Sequence, residues 1–217
     1  MTDVKPKVVD QTVFVVGHPR SGTSLACQLV QSAGVDFPSD FEGDQYNREG
    51  YFELERGKKV SKKLMDEAMT QENTEEMNKV IDRLNERDDW AGLKIVRAPA
   101  FFFYRHLAEE MKLVLIYRNP RDVKSSMLRR GISQFPVPWA ENNNAMIAAY
   151  ENVDDAIIIS YESLLSGEAF ETFEKIGLDV DESIVDTGQR TQKNSDIVLS
   201  DKEKRVYEKL QELEEQQ

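Results

Sequence analysis

The sequence is poor in the residues that build covalently stapled or metal-held folds. Its 217 residues include one cysteine, Cys27, and two histidines, His18 and His106. A single thiol closes no intramolecular disulfide, and one Cys with two His is too few for a Cys/His metal site. Long hydrophobic runs are missing as well: nothing approaches the roughly 20 apolar residues of a membrane span. The opening Met1-Thr2-Asp3-Val4-Lys5-Pro6 has no apolar signal core, so the cytoplasm is the expected compartment. Basic residues are scarce, with 28 Lys and Arg against 40 Asp and Glu and a formal net charge of −12. A surface of that sign repels polyanions, which argues against a general binder of nucleic acid or membrane surface. It leaves open a small anionic ligand at a locally basic site.

What is present reads as a globular chain. The hydrophobic fraction is 40% and the charged fraction 31%, in the ordinary range for a packed domain. The length suits one domain over residues 1–217. Short runs rich in Val and Ile at Thr12–Val16, Leu93–Val96, Leu113–Tyr117 and Ala156–Ser160 predict buried strands. Amphipathic helical stretches separate them, which predicts an α/β fold of three layers, a parallel sheet between helices. A helical insertion is expected at about 54–88, as two helices, the second capped by Asn73 or Thr74. A last helix is expected at about 200–215, capped by Ser200, with Val206, Leu210 and Leu213 on one stripe.

Two segments carry chemistry. The first is Val16-Gly17-His18-Pro19-Arg20-Ser21-Gly22-Thr23-Ser24, a glycine-containing loop between the first strand and a helix starting near Thr23. Loops of this kind cradle phosphate, because backbone N–H groups converge at a helix N-terminus whose dipole favours an anion. Gly17 and Gly22 have the spacing of the nucleotide-triphosphate loop, but Thr23 stands where that loop has lysine. The basic residue is Arg20 instead. An ordinary strand-turn-helix connection is the alternative.

The second segment runs from Arg118 to Arg130. It holds Arg118, Arg121, Lys124, Arg129 and Arg130 against one acid, Asp122, a local reversal of the chain's sign. Arg118 falls at the carboxyl end of a strand, where open α/β sheets bind ligands. Pro120 suits the first turn of a helix, and Ser126 falls about two turns on. A solvated, salt-bridged helix face accounts for Arg129 and Arg130, and less well for Arg118.

Together these segments resemble the sulfotransferases that use 3′-phosphoadenylyl sulfate (PAPS). Pro19-Arg20-Ser21-Gly22-Thr23-Ser24 is similar to the family's 5′-phosphosulfate loop. Arg118 with Ser126 resembles its 3′-phosphate pair. Ile158-Ile159-Ser160-Tyr161-Glu162-Ser163-Leu164 resembles the strand end whose tyrosine lies near the adenine. Asn47-Arg48-Glu49-Gly50-Tyr51-Phe52-Glu53 resembles a stretch found in some bacterial members. The likeness runs from about Val13 to Leu178 in the family's order. It implies a P-loop NTPase-like sulfotransferase fold and transfer of a sulfuryl group from PAPS to a hydroxyl or amine of a small acceptor, leaving PAP and needing no metal.

The resemblance also implies roles. Loop N–H groups with Arg20 would stabilise charge on the departing 5′-phosphate, and an arginine, always protonated, would do so electrostatically rather than as an acid. Ser21, Thr23 and Ser24 would add hydroxyl donors. Arg118 and Ser126 would hold the 3′-phosphate, Tyr161 would lie by the adenine, and Arg190 in Gln189-Arg190-Thr191 is a looser cofactor contact. A general base is expected. Neither histidine sits at the family's usual position, so Glu42, Asp44, Glu49 and Glu53 are the candidates. Glu53 is preferred because burial beside Tyr51-Phe52 would raise its pKa, with Asp44 and Glu49 as alternatives. Arg97 stands at the place of a second catalytic cation, with Lys94 as the alternative, and strand alternation puts these two on opposite faces. Phe101–Tyr104 is expected to pack in the core, and Trp139 is a weak candidate for the acceptor pocket. Rival readings are a phosphate-loop kinase of small metabolites, which calls for a lysine after Gly22 and acids for magnesium, and a PAP- or nucleotide-binding protein without catalysis.

Overall fold

The computed structural model describes residues 4–44, 50–66, 69–133, 135–185 and 196–217. In chain order they form β1 (Val9–Gly17), α1 (Thr23–Ser32), α2 (Glu55–Asp66), α3 (Gln71–Leu84), β2 (Ala91–Ile95) and α4 (Phe101–Tyr104). These are followed by β3 (Ala108–Tyr117), α5 (Pro120–Arg129), α6 (Trp139–Tyr150), β4 (Ala156–Ser160), α7 (Tyr161–Ser166), α8 (Phe170–Glu174) and α9 (Asp201–Gln216). The strands pair in the order β2-β1-β3-β4, parallel throughout.

Side-chain alternation divides the core into two layers. Val13 and Val15 of β1, with Val114, Ile116, Ile157 and Ile159, pack against Ala26, Leu29 and Val30 of α1 and Phe173 of α8. Phe14 and Val16, with Leu93, Leu113, Leu115 and Ile158, face the other way onto α3, α4, α6 and α9. This period of two, with apolar residues on both faces, is why the strands read as unbroken hydrophobic runs. Phe101 and Tyr104 lie in that second layer, almost wholly buried. Trp139 lies there too, edge-on to Tyr207, so it is a core residue and does not line an open pocket.

One cap differs from expectation. Helix α3 begins a turn early, with the Thr70 side chain accepting from the Asn73 N–H, and Asn73 and Thr74 are buried inside the helix. The expected Ser200 cap is present as a capping box, Ser200 accepting from the Glu203 N–H while the Glu203 carboxylate accepts from Ser200 N. Helix α9 then covers the edge strand: Glu214 accepts from Ser160 N at 2.8 Å and Gln217 from Ile158 N at 3.1 Å. No helix among the described residues is long and apolar enough to cross a membrane.

The topology positions a site. From β1 the chain passes to β2 on one side, and from β3 it passes to β4 on the other. The carboxyl ends of the adjacent strands β1 and β3 therefore flank a switch point, the place where open α/β sheets bind ligands. The loop after β1 and Arg118 after β3 both lie there.

Candidate functional site

The loop between β1 and α1 is held open by backbone conformation. Gly17 lies against β3 so closely that a Cβ would fall 2.5 Å from the Ile116 carbonyl oxygen. The loop turns tightly, with Ser21 N donating to His18 O at 3.1 Å. Two residues adopt left-handed backbone: Arg20 at φ 73° and Gly22 at φ 93°. For an arginine that conformation is strained, and such strain concentrates at functional sites. Gly22 starts α1 without a side chain to cap it, so the first-turn N–H groups face the loop. Ser21 is fully buried, and its Oγ has no hydrogen-bond partner among the described residues. An orphan hydroxyl beside a helix N-terminus fits an anion with acceptor oxygens.

Arg118 and Ser126 come to this loop from the next strand. Arg118 is 6% exposed, donates through Nη1 to Arg20 O at 3.3 Å, and lies 4.3 Å over the Tyr161 ring. Tyr161, at the head of α7 beyond β4, presses that ring against Gly22, where a Cβ would meet Cδ2 at 2.4 Å. Ser126, 5% exposed on α5, accepts from Arg20 Nε at 3.1 Å. Arg20, Ser21, Gly22, Arg118, Ser126 and Tyr161 thus share one locus, joined by Pro19 and Thr23 of the loop itself. Arg20 has its pKa lowered, first by burial and then by the positive charge of Arg130. A guanidinium starts so high that it stays protonated.

Arg130 is a cation that the sequence reading assigned to a solvated face. It ends α5, four residues after Ser126 and hence on the same side. Its charge acts on Arg20, and it hydrogen-bonds Tyr51. The offset from Ser126 was the available signal. Two other basic residues of that run do make salt-bridge and backbone contacts: Lys124 pairs with Glu203 at 2.7 Å, and Arg121 Nε donates to Ile197 O at 3.1 Å.

On the other side of the loop stands a buried ion pair. Lys94 Nζ donates to Ser24 Oγ at 2.9 Å and Tyr51 O at 2.7 Å, and lies 3.1 Å from Glu53 Oε1. Its three N–H groups are all taken. Lys58 holds the second Glu53 oxygen at 3.0 Å. The backbone bend that delivers Glu53 passes through Phe52 at φ 54°, whose ring is buried against Phe37. Burial raises the Glu53 pKa, as expected, but Lys94 and then Lys58 outweigh it and bring the carboxyl below its ordinary value. The expected rise is therefore reversed. Cys27, buried nearby, has its thiol pushed up to about 12 by desolvation.

Lys94 and Arg97 do not face apart as strand alternation implied. β2 ends at Ile95, and the chain turns through Arg97 into a short 3₁₀ turn at Ala98–Ala100. Ala98 N donates to Oδ1 of the fully buried Asn142 at 2.8 Å, which fixes the turn. Arg97 is thereby brought within electrostatic reach of Glu53. Its guanidinium lies 5.4 Å from the centroid of Phe135, a ring that also contacts His18 edge-on at 5.2 Å. His18 is buried, with Nδ1 donating to Pro19 O at 2.8 Å, and burial lowers its pKa. Asp44, exposed, accepts from Tyr51 Oη at 2.6 Å, and Glu42 is exposed. Glu49 and Arg190 lie outside the described residues, as does Asn47-Arg48-Glu49 of the bacterial-type stretch. No group of three or more His, Cys, Asp or Glu among the described residues is placed to hold a metal ion.

A family profile described as "Sulfotransferase domain" matches residues 10–174. Among solved structures, the sulfotransferase domain of the Synechococcus PCC 7002 olefin synthase is similar at TM-score 0.61 and 15% identity, over 97% of this chain and 98% of that one. A retinol dehydratase in complex with androsterone and inactive cofactor PAP is more distant, at TM-score 0.41 and 16% identity, over 92% of this chain and 64% of that one. No curated protein matches.

Proposed function

The chain belongs to the sulfotransferase domain family, and from that premise we propose that it acts as one domain, taking PAPS as donor and sulfating a hydroxyl or amine of a small molecule. The observation that carries the reading is the convergence of the Gly17–Ser24 loop, Arg118, Ser126 and Tyr161 at the switch point of the sheet. An anion cradle without the lysine of nucleotide-triphosphate loops, joined to a second basic pocket, suits a nucleotide with two separate phosphate groups.

On this reading Arg118 and Ser126 hold the 3′-phosphate, with Tyr161 by the adenine. Arg190, outside the described residues, is a further cofactor contact. Ser21, Thr23 and Ser24 with the α1 N–H groups hold the 5′ side, beside Pro19. Arg20 stabilises the negative charge that grows on the leaving 5′-phosphate oxygen. In-line transfer forms the acceptor O–S or N–S bond as the S–O bond to that phosphate breaks. Glu53, kept ionised by Lys94 and Lys58, takes the acceptor proton. Asp44 and Glu49 are the alternatives for that role. Arg97 adds positive charge on the acceptor side of Glu53.

Calorimetric titration with PAP and with ATP–magnesium tests the donor. PAP is expected to bind without magnesium, and Arg118→Ala to lose most of that affinity while Glu53→Ala keeps it. Preference for ATP, or dependence on magnesium, would overturn the proposal.

A further inference from the structure

We propose that the acceptor is itself an anion, a small hydroxyl- or amine-bearing molecule carrying a carboxylate or phosphate that Arg97 grips. The inference rests on the sulfotransferase reading above and specifies its acceptor.

The cations around the site differ in how they are used. Lys94 has no N–H left, Lys58 is on Glu53, Arg20 is on Ser126, Arg118 is on the loop and Tyr161, and Arg130 is on Tyr51. Arg97 alone in this group makes no side-chain hydrogen bond or ion pair with the described residues, and its Nε is buried. It forms no ion pair with Glu53, whose two oxygens are held by Lys94 and Lys58. A guanidinium presents five donors and no acceptor; water can serve the exposed ones of half-buried Arg97, whereas its buried Nε is left without a partner among the described residues, which is costly. A structural role would have given it a carboxylate in the fold. A ligand-binding role leaves that partner to arrive with the ligand.

Position and geometry choose which ligand. The donor phosphates are accounted for by the loop, Arg20, Arg118 and Ser126. Arg97 lies within electrostatic reach of Glu53, and the Phe135 ring contacts both it and the loop's His18. The Phe135 ring, its centroid 5.4 Å from the guanidinium carbon, supplies no acceptor oxygen, so the N–H groups remain for a ligand. An edge-on fork matches the paired oxygens of a carboxylate or phosphate. The turn that carries Arg97 is fixed by Ala98 and the buried Asn142, so the backbone from which the guanidinium extends is set before the acceptor binds. In a chain of net charge −12, a small anion has little to hold it elsewhere.

The test is a panel of matched acceptors with release of PAP as readout: 4-hydroxybenzoate, 4-hydroxyphenyl phosphate and glycerol 3-phosphate against 4-hydroxybenzyl alcohol, 4-methylphenol and glycerol. The wild type is expected to favour the anionic arm in kcat/KM. Arg97→Gln is expected to raise KM in that arm roughly 10- to 100-fold, the range for charged hydrogen bonds, and so erase the preference. Arg97→Lys should recover part of it. Thermal melting and PAP binding of each variant control for folding. Equal use of both arms by the wild type overturns the proposal. So does a fall in kcat alike in both arms for Arg97→Gln, which assigns the residue to the transition state. PAP binding without turnover of any anionic member also overturns it, whereas absence of PAP binding sinks the donor reading instead.

Discussion

Glu53 lies between two opposing effects, and the balance has a pH signature. Burial raises its pKa, while Lys94 and Lys58 lower it further than burial lifts it. A depressed carboxyl contributes its ion-pair stability above its unfolded pKa, about 4.3, and loses it as pH falls through the lower folded value. If Glu53 is the base, the acid limb of the kcat–pH profile lies below the ordinary carboxylate range. Lys94→Met leaves burial opposed by Lys58 and the more distant Arg97, so the limb should move up in pH, and stability should fall by about 3 kcal/mol as a buried pair is broken. An acid limb that stays put in Lys94→Met removes Glu53 from the base position. At this scale the sequence showed some residues and hid others for identifiable reasons. Arg20, Arg118 and Ser126 sit at fixed offsets from strand ends, which the sequence displays. The Glu53 pKa depended on Lys58 and Lys94, one from the following helix and one from a distant strand. The period-two rule failed at Arg97 because the strand stops at Ile95, and a charge run concealed Arg130.

Elements were easier to read than side chains, and their ends harder than their middles. The four strands were legible because they are apolar on both faces, and β4 was expected and found at Ala156–Ser160. Helix α3 was placed late because Asn73-Thr74-Glu75-Glu76 looks like a capped first turn; Thr70, three residues before Asn73, supplies the cap instead. Ser200 was legible because its partner Glu203 stands at the capping-box spacing. Glu203 also binds Lys124 of α5, so the start of α9 is tied to the helix that carries Ser126. Ser200→Ala is expected to lower the unfolding free energy by about 1 kcal/mol. Glu203→Ala keeps the Ser200 Oγ bond to the backbone N–H of residue 203 but removes the reciprocal bond from Ser200 N to the carboxylate together with the Lys124 bridge, and is expected to cost about 1 to 2 kcal/mol. Urea denaturation measures both. No loss in Glu203→Ala would mean that neither the reciprocal carboxylate bond nor the Lys124 bridge contributes to stability.

For the whole molecule, the charge pattern makes salt act in two opposite directions. The excess of acid amounts to a net charge of −12, and self-repulsion of that kind destabilises a compact chain. Arg20, Arg97, Arg118 and Arg130 nevertheless gather beside the carboxyl ends of β1, β2 and β3, at the switch point of the sheet. Net charge gave no hint of that gathering, since it sums over positions that only folding brings together. Raising salt from about 20 to about 300 mM shortens the Debye length from roughly 20 Å to under 6 Å. The melting temperature of the free protein should then rise, as surface repulsion is screened. On the proposed reading, in which the two phosphate groups of PAP are held mainly by charge, its affinity should fall several-fold over the same range. Melting curves and calorimetric titrations along one salt series separate the two effects. Opposite trends are the outcome expected of a basic site in an acidic protein. Affinity that ignores salt would mean that PAP is held by the Tyr161 ring and shape, and that the arginines are not its main contacts.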